Sequence, residues 1–389
     1  MKLLVMTSPV FPTAGNNANL ISKLIQPLQE AGHDVRLFAY CPDQKQSLPD
    51  FVFDIPVYWE KDDCRDFIRK MLFPALSKVF DRNGYSDLIM DLVFSRTLKK
   101  IRTVFPFDAI IATTEPYPMA SAAARTSCKN KILYIMDPPE CINGGESTPF
   151  RTRRFSQITK GFHLILATPF TRDALVQCEY QECVERVASV GFPMISSHQV
   201  QRSNESREKA YRIRLLFTGW MYSDIRSPKY FLDIVSRLDE RFEVTFMGKE
   251  CEKLQERFPT KSKATLITLT NQPYDVALQA MADADVLINI GNNVRVHMPS
   301  KTLEYINTGK PMVNFYKFSD CPTLYYTKRY PLALNLFEEE KDMDAAAVRF
   351  VRFCEESIGK TVDHDWIESE YADCTPRYIA QKILESLEK

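Results

Sequence analysis

Apolar residues along the chain fall into two successive series of short unbroken runs, separated by segments whose apolar positions recur at helical spacing. In the first series the runs at 2–6, 34–40, 51–58, 108–113, 131–136, 164–167 and 186–190 predict strands. Segments 18–31 (closed by Gly32), 62–82, 86–104, 119–128 and 170–177 predict helices between them. Runs such as Leu3-Leu4-Val5-Met6 carry no polar alternation, which marks strands covered on both faces, as in parallel sheets. The series closes at Gly191-Phe192-Pro193, and a polar stretch over 196–210 reads as a linker. The second series predicts strands at 214–218, 243–247, 264–269, 286–290 and 312–316, with helices at 230–238, 274–284 and 300–309.

This alternation predicts an α/β protein: two Rossmann-like, doubly wound parallel-sheet domains facing across a cleft. The first covers residues 1–195 and the second 211–372, while a last helix over 373–389 has the option of crossing back to the first domain. A chain of 389 residues is too long for one ordinary core and fits two.

Composition narrows the function classes. With 50 basic and 50 acidic residues the formal net charge is zero, which removes any bulk electrostatic reason to expect nucleic acid as a partner. No apolar span of about 20 residues is present, and the opening apolar run breaks at Thr7-Ser8-Pro9 without a cleavage signature, so a cytoplasmic location is expected. The ten cysteines form no C-x-x-C pair and read as reduced thiols. The loop 7–17 holds one glycine, Gly15, so the G-x-G-x-x-G fingerprint is missing.

The stretch 285–316 concentrates the chemistry. A buried strand, Val286-Leu287-Ile288-Asn289-Ile290, runs into the polar loop 291–299, and Ser300 stands at the N-cap position of a short helix ending at Gly309. Lys310-Pro311 then leads into the next strand. In a parallel sheet this unit aims the amides that follow Ser300 at the crevice beyond the strand ends, where an anion is held. Glu304 lies one turn in, within reach of hydroxyls on a ligand whose phosphate sits at the helix start.

The segment Met298-Pro299-Ser300-Lys301-Thr302-Leu303-Glu304-Tyr305-Ile306-Asn307-Thr308-Gly309-Lys310-Pro311 resembles the donor-site signature of the GT-B sugar-nucleotide glycosyltransferases, in particular the retaining family-four group. Residues 282–293 resemble the preceding strand and loop of that family, and 219–228 its first phosphate-facing loop. The resemblance implies that Glu304 holds ribose hydroxyls, that Met298, Pro299, Ser300 and Lys301 surround a diphosphate, and that Arg226, beside Gly219, meets a phosphate charge. Many members carry a first glutamate eight residues before the ribose glutamate, and here that position is Val296. The sugar hydroxyls then turn to Asn292, Asn293, Arg295 or His297, and Lys249 or Lys301 supplies the second cation of the phosphate loop.

The implied reaction moves a sugar from a nucleotide donor, a UDP-sugar first, to a saccharide or lipid-linked saccharide acceptor in surface polysaccharide or glycoconjugate synthesis. Retention of configuration, no metal and no cofactor beyond the nucleotide-sugar co-substrate are expected. Arg226, Lys301 and the helix start would neutralise the leaving diphosphate. Asp137, at a strand end in Met136-Asp137-Pro138, is the first candidate base and Glu115 the second, each with a plain turn-forming role as its alternative. Gly15 would let the first loop approach donor or acceptor closely. The three D-x-D pairs, Asp283/Asp285, Asp342/Asp344 and Asp363/Asp365, read as turn and helix-start residues rather than metal ligands. The basic amphipathic segment 67–82 reads first as a core-facing helix and second as a peripheral contact with the inner face of a membrane. A UDP-sugar epimerase of the same fold, or a non-catalytic sugar-nucleotide-binding protein, are the alternative functions.

Overall fold

A computed structural model describes residues 1–7, 16–41, 51–52, 55–61, 85–115, 117–138, 149–178, 180–196, 212–221 and 225–388. The chain divides into two compact units, Met1–Pro193 with Asp373–Lys389, and Met194–Ala372.

The first unit holds β1 (Lys2–Thr7), α1 (Asn16–Ser22), α2 (Ile25–Glu30), β2 (Asp34–Cys41), β3 (Phe51–Val52), β4 (Ile55–Lys61), α3 (Tyr85–Val104) and β5 (Ala109–Thr113). It continues with α4 (Tyr117–Arg125), β6 (Asn130–Ile135), α5 (Pro149–Lys160), β7 (Leu164–Ala167), α6 (Pro169–Gln177), α7 (Gln181–Val184) and β8 (Val187–Ser189). Its sheet runs β3-β4-β2-β1-β5-β6-β7-β8, parallel except for the β3–β4 edge hairpin. The unbroken apolar runs do what their pattern demands: every residue of β5 and Leu3–Thr7 of β1 are buried.

Three departures from the sequence pattern have local causes. The helix predicted at 18–31 is two helices, because Pro27 has no N–H to give to the carbonyl of Lys23, and α2 starts afresh two residues before it, at Ile25. The strand predicted at 51–58 is a hairpin that pairs Val52 with Ile55. Helix α5 was not anticipated. Its sequence, PFRTRRFSQITK, is basic and offers few apolar positions, yet it buries Phe155 and Ile158. Segment 62–82, including the amphipathic stretch 67–82, lies outside the described residues, as does the linker 196–210 except Ser196.

The second unit holds β9 (Ile213–Thr218), α8 (Lys229–Val235), β10 (Phe242–Met247), a 3-10 turn (Cys251–Arg257), β11 (Thr265–Leu269), α9 (Tyr274–Asp283), β12 (Val286–Ile290) and α10 (Lys301–Asn307). Then come β13 (Met312–Tyr316), α11 (Pro322–Thr327), β14 (Ala333–Phe337), α12 (Met343–Ser357) and α13 (His364–Glu370). Helix α14 (Pro376–Leu387) follows and belongs to the first unit, where Arg377 approaches Glu30 of α2 at 3.6 Å. All six strands of the second sheet are parallel, in the order β11-β10-β9-β12-β13-β14. The order reverses between β9 and β12, which in open α/β sheets is where a crevice for ligand opens. Phe217, Phe231, Phe246, Phe315 and Phe350 pack ring against ring under it, at centroid separations of 5.3–6.4 Å.

Inside this sheet a polar seam crosses three strands. Asn289, Asn314 and Asn335 stand opposite one another on β12, β13 and β14. Asn289 donates to Asn314 at 2.7 Å, and Asn314 donates to Asn335 at 2.9 Å. Thr302 of α10 donates to Asn289 at 3.3 Å. Buried amides are costly unless paired, so the ladder ties the first turn of α10 to one register against β12.

Candidate functional site

In the second unit the ends of β9 and β10 and the loop after β12 meet around Gly219 and Arg226, beside Lys301. Strand β9 ends at Gly219 and β10 at Gly248, both with left-handed φ, +137° and +144°. A Cβ on Gly248 would lie 2.0 Å from the Gly219 carbonyl oxygen, so only glycine lets the two strand-end loops come this close. Gly219 itself borders a space rather than a wall. A Cβ there would meet the Arg226 guanidinium at 3.8 Å and the Lys301 stem at 3.9 Å. Two cations from distant parts of the chain therefore flank one glycine.

Helix α10 is only seven residues long, so its charge field comes from side chains more than from its dipole. Ser300 holds the N-cap position but has helical geometry (φ −59°, ψ −27°) and makes no side-chain capping bond, contrary to the N-cap role its position suggested. The helix is anchored instead by Tyr305, read from sequence only as an apolar position. Its buried hydroxyl accepts the Thr218 N–H of β9 at 2.8 Å.

Glu304 is 6% exposed. Its Oε2 lies 2.5 Å from the Lys301 ammonium, whereas Oε1 is buried with no hydrogen-bond partner among the described residues. Burial works against the Lys301 charge, but the Glu304 carboxylate outweighs it and holds the ammonium above its ordinary value. The Tyr274 hydroxyl, on α9, lies near the same carboxylate, and burial followed by that charge pushes its pKa well up. An unsatisfied buried carboxylate oxygen costs free energy, and a ligand hydroxyl donating to it recovers that cost.

Loop 291–300 is organised by Asn292, which is buried. Its side-chain carbonyl accepts two bonds from Arg226, at 2.9 and 3.2 Å, and its amide meets His297 Nδ1 at 2.9 Å. Arg226 also donates to the Trp220 carbonyl at 3.3 Å. Lys249 is exposed and sits 3.6 Å from the centre of the Trp220 ring. Met298, Pro299 and Ser300 are buried behind the loop.

The remaining candidates lie elsewhere. Arg295 turns toward the end of β13, where it pairs with Asp320 and stacks on Phe318 at 4.3 Å. Asn293 is exposed and accepts from Lys317. Asp137 and Glu115 both stand just past the ends of adjacent strands, β6 and β5, in the first unit. Gly15 lies outside the described residues. One aspartate of each D-x-D pair accepts a backbone N–H: Asp342 caps Ala345 N–H at 2.9 Å, Asp363 caps Trp366 N–H at 3.1 Å, and Asp285 accepts from Arg214 N–H at 3.0 Å, while Asp283 accepts from the Gln279 amide at 3.2 Å and Asp344 pairs with Arg237 at 2.6 Å.

Pattern reading missed Lys317 and Glu338, which follow β13 and β14. Lys317 lies 3.6 Å from Glu338 Oε2, while Glu338 Oε1 is buried without a partner among the described residues. Burial, opposed by the Lys317 charge, pushes the Glu338 carboxyl up to about 7. No motif flags the pair, since only sheet pairing brings the two strand ends together.

No known family profile matches the sequence, and no curated protein matches it significantly. Solved structures do match in fold. An Anabaena protein, Alr3699/HepE in complex with UDP and glucose, superposes with a TM-score of 0.66 at 12% identity over 100% of both chains. The structure described as "Trehalose-6-phosphate from E. coli bound with UDP-2-fluoro glucose" gives 0.67 at 12% identity, covering 100% of this chain and 99% of that one. A Neisseria meningitidis UDP-GlcNAc 2-epimerase bound to UDP-GlcNAc gives 0.59 at 12% identity over 100% of both. The chain has the GT-B fold, two Rossmann-like α/β units, the architecture of GT-B glycosyltransferases. Among the described residues no helix is long and apolar enough to cross a membrane.

Proposed function

We propose that this chain is a glycosyltransferase that takes a sugar from a UDP-sugar and transfers it to a saccharide or lipid-linked saccharide acceptor, without a metal ion and with retention of configuration. Surface polysaccharide or glycoconjugate assembly is the setting such an acceptor implies. The observation that carries this reading is Glu304, a buried carboxylate with one oxygen on Lys301 and the other without a hydrogen-bond partner among the described residues, beside a glycine flanked by two cations. Ribose hydroxyls would donate to Oε1. The diphosphate would lie along Gly219 between Arg226 and Lys301, with Lys249 and the loop 297–300 around it. UDP is favoured because the neighbours named above are described with UDP or a UDP-sugar.

In the reaction, the bond between the sugar's anomeric carbon and the β-phosphate oxygen breaks, and its electron pair leaves with the diphosphate. Arg226 and Lys301 stabilise that developing charge. The acceptor hydroxyl forms the new bond to the anomeric carbon, and its proton passes to Asp137, with Glu115 as the second candidate. With Val296 in place of a carboxylate, Asn292 and His297 are the groups left to orient the sugar. No cofactor beyond the nucleotide-sugar co-substrate is required. A peripheral contact with a membrane surface would suit a lipid-linked acceptor.

Calorimetric titration with UDP and UDP-sugars, followed by scoring UDP release with and without saccharide acceptors, tests this directly. Glu304→Ala is expected to weaken UDP binding by about 10- to 100-fold, the range of a lost charge-assisted hydrogen bond, with circular dichroism unchanged. Wild-type protein that binds no uridine nucleotide would sink the proposal. The epimerase neighbour favours a second reading, in which an altered sugar and UDP appear without any acceptor.

A further inference from the structure

A second buried carboxylate in the first unit has the same half-satisfied design, far from any motif. Asp91 of α3 is 2% exposed. Its Oδ2 meets Arg154 of α5 at 2.7 Å, Arg125 of α4 at 3.3 Å, and the Ser121 hydroxyl at 3.1 Å. Its Oδ1 is buried with no hydrogen-bond partner among the described residues. All donors crowd one oxygen, and Asp91 borders a cavity of about 450 Å³ lined, among the described residues, by α3, α4 and α5. That volume lies within the range of small-molecule sites.

The cavity's charge is unbalanced. Arg125, Arg153 and Arg154 line it against the single carboxylate of Asp91. Arg154 is buried with its Nη2 on Asp91, whereas the Arg125 side chain, which reaches Asp91 and Ser121 through Nη1, is 53% exposed. Arg153 is exposed and makes no ion pair among the described residues. Guanidinium groups match the planar oxygens of phosphate and carboxylate, and two of them at a mouth select an anion. The Asp91 carboxylate, with one oxygen short of a donor, and the Gln157 amide both border the space and match hydroxyls on the same ligand. Burial raises the Asp91 carboxyl in spite of the Arg154 and Arg125 charges, as expected of an oxygen short of donors.

We propose that this cavity between α3, α4 and α5 is a ligand site for a small phosphorylated polyol, with the phosphoryl group on Arg125 and Arg153 and a hydroxyl donating to Asp91 Oδ1. It is separate from Glu304, which belongs to the other compact unit, and does not depend on the function proposed there.

The test is calorimetric titration of the full-length protein with glucose 6-phosphate, inorganic phosphate and glucose, each with and without excess UDP. Glucose 6-phosphate binds, inorganic phosphate binds more weakly, glucose gives no heat, and UDP leaves the titration unchanged. Arg153→Ala and Arg125→Ala, both at exposed positions, each weaken glucose 6-phosphate by about tenfold or more with unchanged circular dichroism. Absence of binding, equal binding of inorganic phosphate, competition by UDP, or binding that survives both substitutions would each overturn the proposal.

Discussion

Glu304 and Asp91 are two solutions to one electrostatic problem. Each is a buried carboxylate with a cation on one oxygen and, among the described residues, no hydrogen-bond partner on the other. The Glu304 pair is local: Lys301 sits three residues earlier on the same helix and remains 27% exposed. The Asp91 cluster is assembled from three helices, and its main partner, Arg154, is 63 positions away and 7% exposed. A local pair forms whenever its helix forms and leaves one face open. A cluster built from separate helices holds those helices together, so its cations are structural as well as available to a ligand.

The largest expected effect separates these roles. Arg154→Met leaves Asp91 buried with only the exposed Arg125 and Ser121 for company, and the cost is about 4 kcal/mol in urea unfolding, the range for breaking a buried pair. Lys301→Met should cost less, about 2 kcal/mol, because Lys301 is 27% exposed and its charge is partly solvated. Equal losses at the two sites would remove the distinction between a local and a tertiary pair.

Glu338 sharpens the comparison as a third carboxylate of this kind, with a longer contact to Lys317. Its folded pKa of about 7 lies above the ordinary 4.5, so the folded state holds a proton that the unfolded chain has lost between those values. Stability should therefore fall as pH rises from about 4.5 to 7, and Glu338→Gln should flatten that slope and add about 2 kcal/mol at pH 8. A variant with the wild-type slope would show that Lys317 already satisfies the charge.

Much of the fold was legible, because parallel strands buried on both faces must be unbroken apolar runs, and β7, β12 and β13 fall where their runs do. Among the elements that escaped, α5 and α13 carry polar patterns and owe their form to what they pack against, whereas α11, β14 and α12 lie in the stretch 317–357, for which no element was predicted. In the candidate site, Lys301 and Glu304 could be read because three residues along a helix bring side chains to one face. Arg226 reaches Asn292 across 66 positions, and no spacing rule announces that.

What the sequence determined by itself is whatever depends on short range: the α/β alternation, the glycine-ended strands, and a cation beside an acid on α10. The tertiary structure alone decided which strand ends meet, and therefore that Gly248 admits the Gly219 carbonyl, that three asparagines form one ladder, and that Asp91 collects two arginines. Those arrangements rest on desolvation and on strand order, and both exist only once distant segments exclude water together.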